Sequence, residues 1–192
     1  MKKTIYLQKI GQFDQNILLK LKTHLQWAFK EFSLSVDIQG DEIPLDDSFY
    51  NQIRQQYDAS LVLRRLKKHV KEKYYFRVLG VMDKDIYAGY LNFVFGIAVK
   101  PLKNIFKASI VGLISIMRLR ESFYRREENE SLFELRILKE AIHELGHTFG
   151  LEHCKNYCIM RFSNSLADTD EKPSKFCEMC SKNLNKFLKS VI

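Results

Sequence analysis

The stretch 143-HELGHTFGLEHC-154 limits what this chain can fold into more than any other segment. Upstream of it, Leu135, Leu138, Ile142, Leu145 and Phe149 recur near helical spacing, which predicts a helix over residues 131–149. On that helix His143 and His147 are four apart and share one face. Gly150 follows, where helices commonly end on a glycine with φ > 0. A straight continuation would carry His153 away from the other two histidines, and a reversal at Gly150 brings it back. The fold must therefore supply a helix with a histidine face, a sharp turn and a returning segment.

The residue types in that pattern point to a metal. Two imidazoles one turn apart can share one Zn²⁺ at about 2.0–2.1 Å each. Glu144, on a neighbouring angle, can reach a water in the site without taking a coordination position, which makes it the candidate general base. The five residues 143–147 alone would also suit a solvated helix face, and the extension to His153 makes the difference. Three protein ligands with an open fourth position are the mark of a catalytic zinc rather than a structural one. The remaining histidines, His24 and His69, read as helix-surface or core-edge residues.

All four cysteines fall in the last fifth of the chain, as Cys154-x-x-x-Cys158 and Cys177-x-x-Cys180. Two close pairs of thiolates suit a closed, tetrahedral, structural zinc site with Zn–S near 2.3 Å. Two disulfides are the main alternative, and in a reducing compartment such clustering points to metal first. A catalytic cysteine would want a further histidine nearby, and none remains. Two zinc ions per chain are thus expected, one catalytic and one structural.

The 192 residues are 46% apolar, enough for one globular domain with a real core. Residues 3–9, 33–38, 74–81, 91–99 and 108–117 read as strands. Residues 14–32 and 178–192 read as helical, and Pro44 and Asp46 open a turn followed by a helical stretch to about residue 71, interrupted near Tyr57. Strands mixed with helices predict an α/β fold, a twisted mixed sheet with packed helices. Residues 1–150 form its upper part, ending in the histidine helix, and 151–192 a small lower subdomain tied by the cysteines. The N-terminus lacks the apolar core of a secretory signal, and the longest apolar run, about ten residues, is too short for a membrane span. A cytoplasmic protein without a membrane partner is expected. Lysine plus arginine exceeds aspartate plus glutamate by 31 − 23 = 8. The lysines are scattered over amphipathic segments, so a solvated surface is favoured over a nucleic-acid partner.

His-Glu-x-x-His-x-x-Gly-x-x-His resembles the metzincin signature. The residues around it, His153-Cys154, Cys158-Ile159-Met160 and Cys177-Glu178-Met179-Cys180, look like the archaemetzincins, as does the segment 91-LNFVFGIA-98. The resemblance implies a compact metzincin domain: a sheet above a cleft, an active-site helix and a small lower part. It implies a zinc peptidase with a second zinc on the four cysteines, and Met160 as an apolar floor beneath the histidines. Both intercysteine gaps are one residue shorter than the family's usual pattern. Phe162 stands where several metzincins carry a tyrosine that assists the tetrahedral intermediate, leaving Arg161, Tyr157 or backbone N–H groups for that role.

The expected function is zinc-dependent hydrolysis of a peptide or protein, by a monomer. Residues 91–99 are the candidate edge strand for holding an extended peptide. Cys154 and Cys158, bound to the second metal, would fix His153 and Met160 beside them. Two rival readings remain at this point. One is a metal-dependent endoribonuclease with the same histidine spacing, against which Glu144 and the cysteines count. The other is a zinc-stabilised binding module without turnover.

Overall fold

The computed structural model describes residues 3–101 and 109–191. Its main sheet has five strands in the order β2-β1-β5-β8-β7. These are β1 (Thr4–Ile10), β2 (Ser35–Ile43), β5 (Arg77–Met82), β7 (Gly96–Ala98) and β8 (Ile110–Ser115). Neighbours are parallel except β7, which runs antiparallel to β8 at the sheet edge. A smaller sheet joins β3 (Tyr50–Asn51), β4 (Gln56–Asp58) and β6 (Ile86–Tyr87). The helices are α1 (Gln15–Ala28), α2 (Ala59–His69), α3 (Glu130–Thr148), α4 (Leu166–Glu171) and α5 (Glu178–Ser190). The expected mixed α/β architecture is observed.

β5 and β8 are buried along their whole length, because the sheet is covered on both faces. Leu79, Val81 and Ile114 pack into the core beneath α1 and α3. Val78, Met82, Val111 and Leu113 pack on the other side with Val62, Leu63 and Leu66 of α2. Each such side chain removed from water contributes about 1.5–3 kcal/mol, so the central strands hold the floor on which α3 rests. No helix among the described residues is long and apolar enough to cross a membrane.

Several local expectations need correction. The helical stretch expected after the turn at Pro44 and Asp46 is only a 3-10 turn, Asp47–Phe49, before residue 59: Asn51 caps the following turn by accepting from the backbone of Ile53 and Arg54, and Gln55 takes φ 54°. That side-chain turn closes the β3–β4 hairpin, and Asp58 then caps α2 by accepting from Ser60 and Leu61. Of residues 91–99 only Gly96–Ala98 is strand. The earlier part leaves the main sheet because Val94 donates to Ile86 and the Asn92 carbonyl accepts from Gln56, ties to the smaller sheet. The strand expected over 108–117 is Ile110–Ser115, with 108 outside the described residues. Of the stripe expected on α3, Ile142, Leu145 and Phe149 are buried and Leu138 packs against the core, whereas Leu135 is exposed; Phe133, Ile137 and Ala141 join the buried face. The six residues of α4 were not foreseen. Ser165 caps it by accepting from Asp168.

Candidate metal centre

Asn129 caps α3 by accepting from the backbone of Leu132. Glu140, His143, Glu144 and His147 follow at i, i+3, i+4 and i+7, so they share the face that looks into the cleft under β7. All four are buried. Gly150, at φ 86°, then ends the helix in a Schellman turn: Leu151 donates to the Gly146 carbonyl and Gly150 to that of His147. The reversal returns His153 to the other two rings, with centroids 5.4 Å from His143 and 4.9 Å from His147.

The three imidazoles offer ligand nitrogens that lie within 4.8 Å of one another. His143 Nδ1 is 2.9 Å from the Ile159 carbonyl and His147 Nδ1 is 2.8 Å from that of Leu151. A carbonyl only accepts, so both Nδ1 atoms carry protons and both Nε2 atoms turn lone pairs into the cleft. Those Nε2 atoms are 3.1 Å apart. Two lone pairs that close repel unless a cation sits between them. A tetrahedral zinc with bonds of about 2.0–2.1 Å places its donors roughly 3.3 Å apart. Burial lowers the pKa of all three rings, that of His143 furthest, so they stay neutral as ligands must. The donor set fits zinc.

Glu144 is buried, and its Oε2 has no hydrogen-bond partner among the described residues. Burial raises its pKa well above the usual carboxyl range, Glu140 adds to this, and Lys172 opposes it. An orphaned, desolvated carboxylate beside three imidazoles is suited to exchanging a proton. The cleft is a cavity of about 290 Å³, walled by the histidines and Glu144 on one side and by Phe93, Phe95 and Gly96 on the other. β7 pairs with β8 along one edge, and among the described residues its other edge carries no strand.

Met160 is fully buried, its sulfur so close to Gly146 of α3 that a Cβ there would lie 2.4 Å from it. The turn carrying it is tied back: Cys154 donates to the Met160 carbonyl at 2.9 Å, and Ile159 supplies the acceptor for His143. The four cysteine sulfurs lie within 4.8 Å of one another. Cys154 and Cys177 sulfurs are 3.8 Å apart, far beyond the roughly 2.05 Å of a disulfide. The Cys158 sulfur accepts from the backbone of Cys177 and Met160 at 3.2 and 3.5 Å. Cys177 is drawn down to about 6: burial opposes this, but hydrogen bonds from the Cys180 backbone and Asn156 outweigh it. Burial pushes Cys180 up. Thiols this close with N–H donors aimed at sulfur suit a shared cation.

The remaining candidates lie elsewhere. Tyr157 and Arg161 are exposed and do not line the cleft, and Phe162 packs its ring 5.1 Å from His153. Lys100, Asn164 and Lys172 line it instead. His69 bonds to Asp41 at 2.7 Å, and His24 lies on α1, away from the centre. Sequence reasoning missed Glu140, Gly96 and Lys172. Only Glu140 left a signal, three residues before His143 on the same helix face.

A model of "Peptidase family M54" matches residues 12–186. The archaemetzincin of Sulfolobus acidocaldarius is 36% identical over 182 residues, covering 94% of this chain and 96% of that one. Among solved structures, the archaemetzincin of Archaeoglobus fulgidus complexed with malonate aligns with a TM-score of 0.75 at 34% identity, over 94% of this chain and 99% of that one. The archaemetzincin of Methanopyrus kandleri aligns at 0.79 and 31% identity, over 98% and 96% of the two chains.

Proposed function

The chain belongs to peptidase family M54, the archaemetzincins, and from that premise we propose that it cleaves peptide bonds with Glu144 as general base beside a zinc held by His143, His147 and His153. Membership makes it a zinc metallopeptidase and sets aside the ribonuclease and the inert binding module. The observation that carries the finer reading is the pair of facing Nε2 atoms, locked by their Nδ1 bonds next to the buried Glu144 carboxylate.

A zinc ion held there supplies Lewis acidity, acidifying a water and polarising a carbonyl. The residues of the chain do the rest. The free edge of β7 takes up an extended peptide by main-chain hydrogen bonds. Glu144 accepts a proton from the attacking water on its carboxylate, then returns it to the nitrogen of the leaving amine. Its burial keeps that proton off bulk water. Replacing Glu144 with Gln should leave zinc bound and lower kcat by roughly 10²-fold or more. Retained turnover would remove Glu144 from this role.

The second metal is proposed on Cys154, Cys158, Cys177 and Cys180, giving two zinc ions per chain. It anchors the residues next to His153 and Met160, so it supports the orientation of the first. On this reading the chain is one peptidase domain: residues 1–150 form its upper part, and 151–192 its lower subdomain. It works as a monomer on peptide or protein, in a reducing cytoplasm that keeps the thiols available, and nucleic acid is not its partner.

A further inference from the structure

One wall of the cleft carries charge that hydrolysis does not need. Glu140 lies one helical turn before Glu144, and Lys172 follows α4. Lys172 Nζ donates to Glu140 Oε1 at 2.9 Å, and the Thr169 hydroxyl donates to the same oxygen at 3.0 Å. The two charged side chains are only 1% and 4% exposed, yet both line the cleft. An ammonium has three donors, and this one makes a single hydrogen bond among the described residues. On the same wall the Ser163 hydroxyl is buried with no partner among the described residues. Buried polar groups with spare hydrogen-bonding capacity discriminate strongly in favour of a substrate that fills them.

The direction of the substrate follows from the proton transfer. Glu144 must reach the leaving nitrogen, so the residue that carries this nitrogen lies on the Glu144 side of the histidines. Glu140 is one turn further along the same face, and the side chain of that residue meets Glu140, Lys172 and Ser163. Its charge is constrained as well. Lys172 is already paired with Glu140, so a substrate carboxylate meets the Glu140 carboxylate and a substrate cation meets the Lys172 ammonium. An uncharged carboxamide offers an acceptor to the ammonium and donors to Glu140, and Ser163 can serve either end.

We propose that Glu140, Lys172 and Ser163 form the specificity subsite for the residue following the cleaved bond, and that they select glutamine or asparagine there. The proposal rests on the peptidase reading above and names part of its substrate.

The test uses zinc-loaded chain and quenched fluorescent peptides that differ only in that residue: Gln, Leu, Glu or Lys. Gln should exceed each of the others at least tenfold in kcat/KM. Replacing the ion pair with an apolar one, Glu140→Leu with Lys172→Met, should reverse the order of Gln and Leu, whereas Lys172→Arg should preserve it. Binding of the same peptides to the zinc-loaded Glu144→Ala chain reads the preference without turnover, and Gln should bind at least tenfold tighter than Leu. Leu cleaved as fast as Gln by the unaltered chain overturns the subsite and leaves the peptidase reading standing. No cleavage of any peptide, with the binding preference intact, overturns the peptidase reading and supports the subsite. Equal binding of all four peptides by the Glu144→Ala chain overturns the subsite.

Discussion

A Cβ built on Gly96 would lie 2.6 Å from Cγ of Glu144 and 2.7 Å from the carbonyl oxygen of Leu113. The edge strand and the proposed general base therefore touch, and only a glycine lets them.

Gly96→Ala should displace Glu144, because the other obstacle is backbone and cannot move aside. Overpacking of this kind costs about 1–3 kcal/mol. The expected result is a kcat/KM at least tenfold lower with zinc content unchanged. Activity equal to that of the unaltered chain, in a variant that retains zinc, would show the contact to be idle.

The metal-free chain should lose stability towards acid. Burial lowers the pKa of His143, His147 and His153 in the folded state. Below about 6.5 the unfolded chain binds protons that the folded chain refuses, so stability falls as pH drops through that value. Glu144 acts with the opposite sign: its folded pKa is raised, so its contribution is lost as pH rises above the ordinary carboxyl value near 4.5. Urea unfolding in chelator across pH 4–8 measures both. Glu144→Gln should remove the second slope and leave the first.

The cysteine centre should govern the histidine centre. Cys154→Ser should cost the second zinc and also lower occupancy at the histidines, since Cys154 adjoins His153 and its N–H holds the Met160 carbonyl. Cys177→Ser, whose residue is more remote from His153 in sequence, should cost chiefly the second zinc. Elemental analysis per chain separates the two. One zinc left, bound with undiminished affinity at the histidines of the Cys154→Ser chain, would refute the coupling.

Arg136 ties α3 to α4 through two hydrogen bonds to Asp170, at 2.7 and 2.6 Å, and one to the Leu119 carbonyl at 3.0 Å. The guanidinium is buried, Glu121 beside it is nearly so, and Asp170 is 34% exposed. Removing one partner of a buried pair costs about 3–5 kcal/mol, and the access of Asp170 to water places Arg136→Met near the lower figure. Its Tm should fall by roughly 6–12 °C, with zinc binding retained below the transition. An unchanged Tm would mean that this clasp contributes nothing to stability.

The site was legible where its geometry is local. His143, Glu144 and His147 are fixed relative to one another by the helical repeat, and Gly150 fixes the reversal through a turn of four residues. The two cysteine pairs were legible for the same reason. Legibility failed for residues 50–58, where helical periodicity stands in a segment that the Asn51 side chain turns into a hairpin. It failed again along residues 91–94, whose apolar character suggested strand while hydrogen bonds to the smaller sheet hold the backbone elsewhere.

By itself, then, the sequence determined the candidate metal ligands, the candidate base and the α/β class, because helix period and ligand chemistry act over a few residues. Only the tertiary structure decided that Gly96 lies against Glu144 and that Lys172 lies against Glu140. Those pairs are 48 and 32 residues apart. Their meeting depends on how β7 and α4 pack around α3, which no local pattern in either partner encodes.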